Sequence, residues 1–146
     1  LELFSNFKFK KFLNFDFNYT YTSTYDGAEQ DNPNKSSGQT NAQLVRVPRN
    51  LFNLNTTFIM PEFENLNILL STKWSDRSRD YGNGNRTFDD ERTDDYFVND
   101  LNINYNLNET NKLYLNITNL FNEKYETARD YSQMPRSFNF GIKNSF

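Results

Sequence analysis

The chain has 146 residues, a net charge of −3, no cysteine and no histidine. That composition excludes a disulfide framework, thiolate chemistry and Cys-ligated zinc, and it removes the commonest general base and metal ligand. The acidic balance also argues against nucleic-acid binding through a basic surface. Aromatic residues make up 17% of the chain, yet its mean hydropathy is −0.89 and Asn, at 24, is its most abundant residue. Many rings are therefore set in a very polar remainder.

Seven stretches alternate at period two, the pattern of a strand with two unlike faces. Residues 1–9 (LELFSNFKF) are the first and the weakest. Residues 13–25 (LNFDFNYTYTSTY) are the clearest, with large apolar or aromatic side chains on most odd positions and Asn, Asp and Thr on the even ones. Residues 50–60, 66–74, 96–107, 112–121 and 136–146 follow. None sustains an apolar i, i+3, i+4 pattern, so essentially no helix is expected, and no run of 18 apolar residues offers a transmembrane helix. No signal peptide is apparent. The chain opens on Leu1, in what reads as mid-strand, so it is expected to be a processed chain or a piece of a longer one.

The connections alternate in length. Residues 10–12, 61–65 and 108–111 are short turns; residues 26–49 and 75–95 are long and polar; residues 122–135 are intermediate. Turns at one end and long loops at the other, with strands near the ~9–11 residues that cross a bilayer at a tilt, predict a transmembrane β-barrel wall. Phe15, Phe17, Leu54, Phe58, Leu101, Ile103, Phe138, Phe140 and Ile142 should then share the convex, lipid-facing side. Asp16, Asn18, Asn55, Asn102 and Asn104 should share the concave one. Tyr19, Tyr21, Tyr25, Trp74, Tyr96 and Tyr105 lie towards strand ends, where aromatic girdles meet headgroups. Asp100 and Lys73 are expected to point into the lumen and pair with other strands. The first and seventh strands would run in the same direction, so they cannot close on each other antiparallel. The fold class expected is all-β: an antiparallel meander of about seven strands, one partial domain spanning 1–146 within a larger barrel.

The segment 113–126 (LYLNITNLFNEKYE), followed by 134–146 (MPRSFNFGIKNSF), resembles the C-terminal end of TonB-dependent outer-membrane receptors. The matching positions are Asn119, Leu120, Phe121, Lys124 and Tyr125, then Pro135, Arg136, Ser137, Phe138, Gly141 and Phe146; the family's Gly after the Pro is missing. The stretches NFDFNYTYTST and RVPRNLFNLNTTF also resemble late barrel strands of that family. The resemblance implies a 22-stranded transmembrane β-barrel, of which this chain would be roughly the last seven strands, with the plug and earlier strands absent. It implies uptake of a scarce ligand such as cobalamin or an iron-siderophore, with a slight tilt to cobalamin from the acidic loop. The partners implied are outer-membrane lipid and lipopolysaccharide, the remaining strands and plug of the receptor, the TonB complex and a small-molecule ligand. The barrel-assembly machinery would read an insertion signal at Phe138, Phe140, Gly141, Ile142 and Phe146. The location implied is the outer membrane of a Gram-negative bacterium.

The loop 76–95 holds seven acids and four arginines. Arg77, Arg79 and Arg86 with Tyr81 could grip an anionic ligand, because guanidinium suits carboxylate and phosphate geometry. Asp89, Asp90, Glu91, Asp94 and Asp95 could supply oxygens to Ca²⁺, which takes six to eight, although their spacing fits no EF-hand. The plainer alternative for both sets is a solvated loop. Asn-x-Ser/Thr triplets at Asn18, Asn55, Asn85, Asn108 and Asn116 read as a consequence of the Asn-rich composition. No enzyme is expected: a serine without a histidine or a suitably placed lysine has little activation. No cofactor is required. Two other readings stand beside the transporter: a porin outside the TonB-dependent class, and a soluble β-sheet module that binds glycans.

Overall fold

A computed structural model describes residues 1–24, 44–80 and 92–145. Seven strands form one sheet: β1 (Glu2–Phe9), β2 (Leu13–Tyr21), β3 (Asn50–Ile59), β4 (Leu66–Ser75), β5 (Tyr96–Asn106), β6 (Asn111–Thr118) and β9 (Ser137–Asn144). Their order is β1-β2-β3-β4-β5-β6-β9, and every neighbouring pair is antiparallel. A separate hairpin, β7 (Glu126–Ala128) with β8 (Tyr131–Ser132), sits in the connection between β6 and β9. No helix occurs among the described residues.

The register explains the alternation. Phe9, Leu13, Phe58, Ile68, Ile103, Leu115 and Phe140 pair in sequence across all seven strands, so one face carries an unbroken apolar row. The neighbouring row on the opposite face is Lys8, Asn14, Thr57, Leu69, Asn102, Asn116 and Asn139. A slip of one residue would exchange the two faces. The nine apolar residues expected on one side and the five polar ones expected on the other segregate by this register. The apolar face also carries a few polar residues, among them Ser5, Thr56, Thr72 and Asn99, and the Thr72 hydroxyl donates to Asn99 Oδ1 at 2.8 Å.

Among the described residues no second layer covers the apolar face. Among the described residues only Tyr96 and Val98 are buried hydrophobics. Phe140 is 80% exposed, and Phe138 and Ile142 are 61% and 67% exposed. An apolar face this continuous lies far beyond the patches a water-soluble monomer tolerates. All eight residues of β1 are exposed, because one of its edges is unpaired. β1 and β9 are the two edges, and with seven alternating strands they run in the same direction.

The short connections are built locally. The β5–β6 turn is an Asx-type turn in which Asn108 Oδ1 accepts from the backbone N–H of Thr110 (3.1 Å) and Asn111 (2.8 Å). The β1–β2 turn places Lys10 at φ 54, and Phe12 C=O accepts from Ile59 N–H at the end of β3 at 2.7 Å.

Several expected strand ends and one aromatic assignment need correction. β6 ends at Thr118 rather than 121, because Asn119 turns the chain with φ 54. β2 ends at Tyr21, β5 at Asn106 and β9 at Asn144, each short of the expected bounds. The intermediate connection 122–135 contains the hairpin β7–β8, which the sequence reading did not foresee. Tyr96 is no girdle residue: it shares the polar face with Val98 and Asp100 and is buried there. Tyr25 lies outside the described residues.

Candidate ligand cleft at the long-loop end

β4 and β5 run on beyond the sheet as a narrow arm. Thr93 N–H donates to Ser78 C=O at 2.9 Å, Ser78 N–H donates to Thr93 Oγ1 at 3.2 Å, and Arg79 bridges Arg92 through the backbone. At its described end lies Asp80, whose side chain is 1% exposed. Its carboxylate accepts from Arg46 Nε at 3.0 Å and from the backbone N–H of Arg129. Arg46 belongs to the β2–β3 loop and Arg129 to the β6–β9 loop, so one buried carboxylate ties three loops together. Arg46 N–H also donates to Arg79 C=O at 2.7 Å. Charge-assisted bonds of this kind are about twice as strong as neutral ones.

On the other side of β5 the organiser is Asn119, 1% exposed. Its backbone N–H donates to Asp100 Oδ1 at 2.8 Å. Its amide donates to the carbonyls of Glu123 (2.8 Å) and Met134 (3.3 Å), and its Oδ1 accepts from Glu123 N–H at 2.8 Å. Asn122, at φ 58, accepts from Arg136 N–H at 2.9 Å. Asn tolerates left-handed backbone because its short amide bonds locally. The NLFN segment is thus a built corner that folds the next residues back over the polar face. Tyr125 lands on Tyr96 with ring centroids 4.6 Å apart and planes tilted by 37°, and Lys73 Nζ lies 5.7 Å from the Tyr96 ring centroid on the same face. Burial, then the neighbouring Tyr96 and Asp100, raises the Tyr125 phenol above its ordinary value. Asp100 and Lys73 both lie on the polar face, where Asp100 accepts from Asn119 just beyond β6 and Lys73 lies near Tyr96 of β5.

The arm and the folded-back loop enclose a cleft of about 700 Å³, lined by residues 92–95 and by positions between 122 and 135. That volume is in the range of small-molecule sites. Its charged lining is Asp94, Asp95, Glu123, Glu126 and Asp130 against Arg92, Lys124 and Arg129. Some of these are engaged: Glu126 Oε2 accepts from Asp130 N–H at 2.9 Å, and Arg129 Nε lies 3.9 Å from Asp130 Oδ2.

The residues singled out in the sequence are distributed unevenly. Asp94 and Asp95 are exposed and line the cleft. Arg77 is exposed and Arg79 half-buried, and neither lines it. Tyr81, Arg86, Asp89, Asp90 and Glu91 lie outside the described residues, as does Phe146. Among the described residues no three acidic side chains converge as a metal site. Phe138, Phe140 and Ile142 sit on the apolar face, whereas Gly141 faces the other side beneath Tyr114. Sequence reading missed Asp80, Arg46 and Arg129. Asp80 looks like any acid of an acidic loop, and only its depth and its partners distinguish it.

Comparison with solved structures gives the same architecture. The ferripyoverdine receptor of the outer membrane of Pseudomonas aeruginosa matches with TM-score 0.74 at 17% identity, over 99% of this chain and 19% of that one. The ferric-catecholate import receptor Fiu from E. coli K12 matches with TM-score 0.75 at 16% identity, over 99% and 20%. The siderophore receptor PiuA from Acinetobacter baumannii matches with TM-score 0.68 at 24% identity, over 98% and 21%. The chain therefore spans about a fifth of these receptors. A search of curated protein sequences gives no match. The family model for the TonB-dependent receptor-like β-barrel matches residues 1–120. A sheet with one uncovered apolar face, turns at one end, an organised loop cluster at the other and this family match lead to one conclusion: the chain belongs to the TonB-dependent receptor β-barrel family.

Proposed function

We propose that this chain is a wall segment of an outer-membrane transporter of a Gram-negative bacterium, and that its long-loop end helps receive a ferric siderophore for TonB-driven uptake. The observation that carries the reading is the apolar face that the described residues leave uncovered across all seven strands, in a chain of this family. Hydrocarbon is the environment that suits such a face, and a barrel is the form in which strands can meet it. The organised cleft at the opposite end from the tight turns is the natural point of ligand entry. The structural neighbours named above are siderophore receptors, so a siderophore is preferred over cobalamin. The reading carries with it a plug, the remaining strands, TonB and the assembly machinery as partners. A soluble glycan-binding module would need a second layer over Phe138, Phe140 and Ile142. Calcium in the loop 89–95 belongs to the reading as a subsidiary proposal, tested by calorimetric titration of the receptor with Ca²⁺.

The test uses the full-length receptor that contains this chain. It should run on gels with heat-modifiable mobility and restore growth of an uptake-deficient strain on a panel of ferric siderophores. A receptor that is water-soluble without detergent, or that supports no ferric-chelate uptake across the panel, refutes the proposal.

A further inference from the structure

The tight-turn end of the sheet holds a second cleft, of about 620 Å³. Its walls are Phe12, Leu13, Phe58, Ile59, Met60 and Phe63. Phe12 and Phe63 are 50% and 56% exposed, a poor arrangement for rings that meet only water. Leu13 and Phe58 are paired neighbours in the apolar row that crosses the whole sheet. The cleft is thus an inlet continuous with the lipid-facing belt. Both wall elements come from adjacent turns of this chain, on strands already paired to each other.

Charges of both signs flank its lining residues in the sequence. Glu62 lines the cleft, Glu64 follows two residues on, and Lys10 and Lys11 directly precede Phe12. None of these four has an ion-pair partner among the described residues. A peptide is a poor occupant. Main-chain recognition needs an open strand edge, and β2 and β3 spend their edges on each other here, with Ile59 N–H bonded to Phe12 C=O. An acyl chain asks for no hydrogen bonds, and each buried CH₂ contributes about 0.8 kcal/mol.

The geometry points to a phospholipid site: one acyl chain in the inlet, with a zwitterionic phosphoethanolamine headgroup across the mouth, its phosphate towards Lys10 and Lys11 and its ammonium towards Glu62 and Glu64. An anionic headgroup would satisfy the lysines but meet the glutamates uncompensated. This inference rests on the membrane reading proposed above.

The experiment is native mass spectrometry of the full-length receptor, delipidated in detergent and titrated with phosphatidylethanolamine or phosphatidylglycerol. One phosphatidylethanolamine should be retained at least about fivefold better than phosphatidylglycerol. Met60→Asp should cut that retention about fivefold while leaving heat-modifiable mobility unchanged. The double substitution Glu62→Lys with Glu64→Lys should invert the headgroup preference. A folded barrel that retains no lipid, retains both lipids equally, or ignores Met60→Asp overturns this inference alone. A receptor that proves water-soluble overturns the membrane reading together with it.

Discussion

Gly141 offers the sharpest test of the register. It pairs with Tyr114 across β6 and β9 on the polar face, and the tyrosine ring lies over it. A Cβ added at Gly141 would sit 2.7 Å from Tyr114 Oη, 2.9 Å from Cζ and 3.1 Å from Cε1. The hydroxyl and two ring carbons are involved, so the far end of the tyrosine must swing aside as one rigid ring. Elsewhere in an extended strand, Gly→Ala stabilises by about 0.4–1 kcal/mol, because the unfolded chain loses freedom. Here the overpacking term of about 1–3 kcal/mol opposes it. The net expectation for Gly141→Ala is a loss of about 1–2 kcal/mol. In a Tyr114→Ala background the obstruction is gone, and the same substitution should become neutral or stabilising. The coupling between the two sites should therefore exceed about 1 kcal/mol. Urea unfolding of the full-length receptor in lipid vesicles, followed by the heat-modifiable gel shift, reads all four proteins of the cycle. An unchanged or raised midpoint for Gly141→Ala with Tyr114 present would refute the packing argument. So would an equal cost in both backgrounds.

Asn119→Ala removes three side-chain hydrogen bonds and leaves alanine at φ 54. At about 1 kcal/mol per bond plus about 1 kcal/mol of backbone strain, roughly 3–4 kcal/mol should be lost in urea unfolding, and Asn119→Gly, which relieves the strain alone, should lose less. Asp80→Asn keeps an acceptor for the Arg129 N–H, while Asp80→Ala keeps none. Limited proteolysis between 44 and 49 and near 129 should accelerate strongly in the alanine variant and mildly in the asparagine one, because the Arg46 side chain is half-exposed and its ion pair is screened. The raised phenol of Tyr125 sets an alkaline limit. Its ordinary value is 10.0, so the stability it contributes is complete below that pH and is lost as the pH rises through the higher folded value. Unfolding midpoints measured from pH 8 upward should fall less steeply in Tyr125→Phe, and identical slopes would remove Tyr125 from the explanation.

The period-two pattern by itself determined which residues share a face, because side chains alternate along any strand. Phe15 and Phe17 could be assigned to one side, and Asp16 and Asn18 to the other, before any partner strand was known. The alternation of short and long connections likewise determined which end bears the loops. Strand ends were less legible: residues 119–121 continue the apolar alternation, but the corner at Asn119 depends on the Asp100 carboxylate and the Met134 carbonyl, which arrive only through the fold. The polar placement of Tyr96 beneath Tyr125 could not be read either, since an aromatic near a strand end suits a girdle equally well. Asp80 stands among six other acids in its loop, and only the arrival of Arg46 and Arg129 from two other loops makes it a knot. Local pattern is set by neighbours in sequence, whereas corners, knots and clefts are set by groups that meet across 15 to 49 positions of chain, as in the side-chain-to-backbone bonds of Asn119 with Met134 and of Asp80 with Arg129.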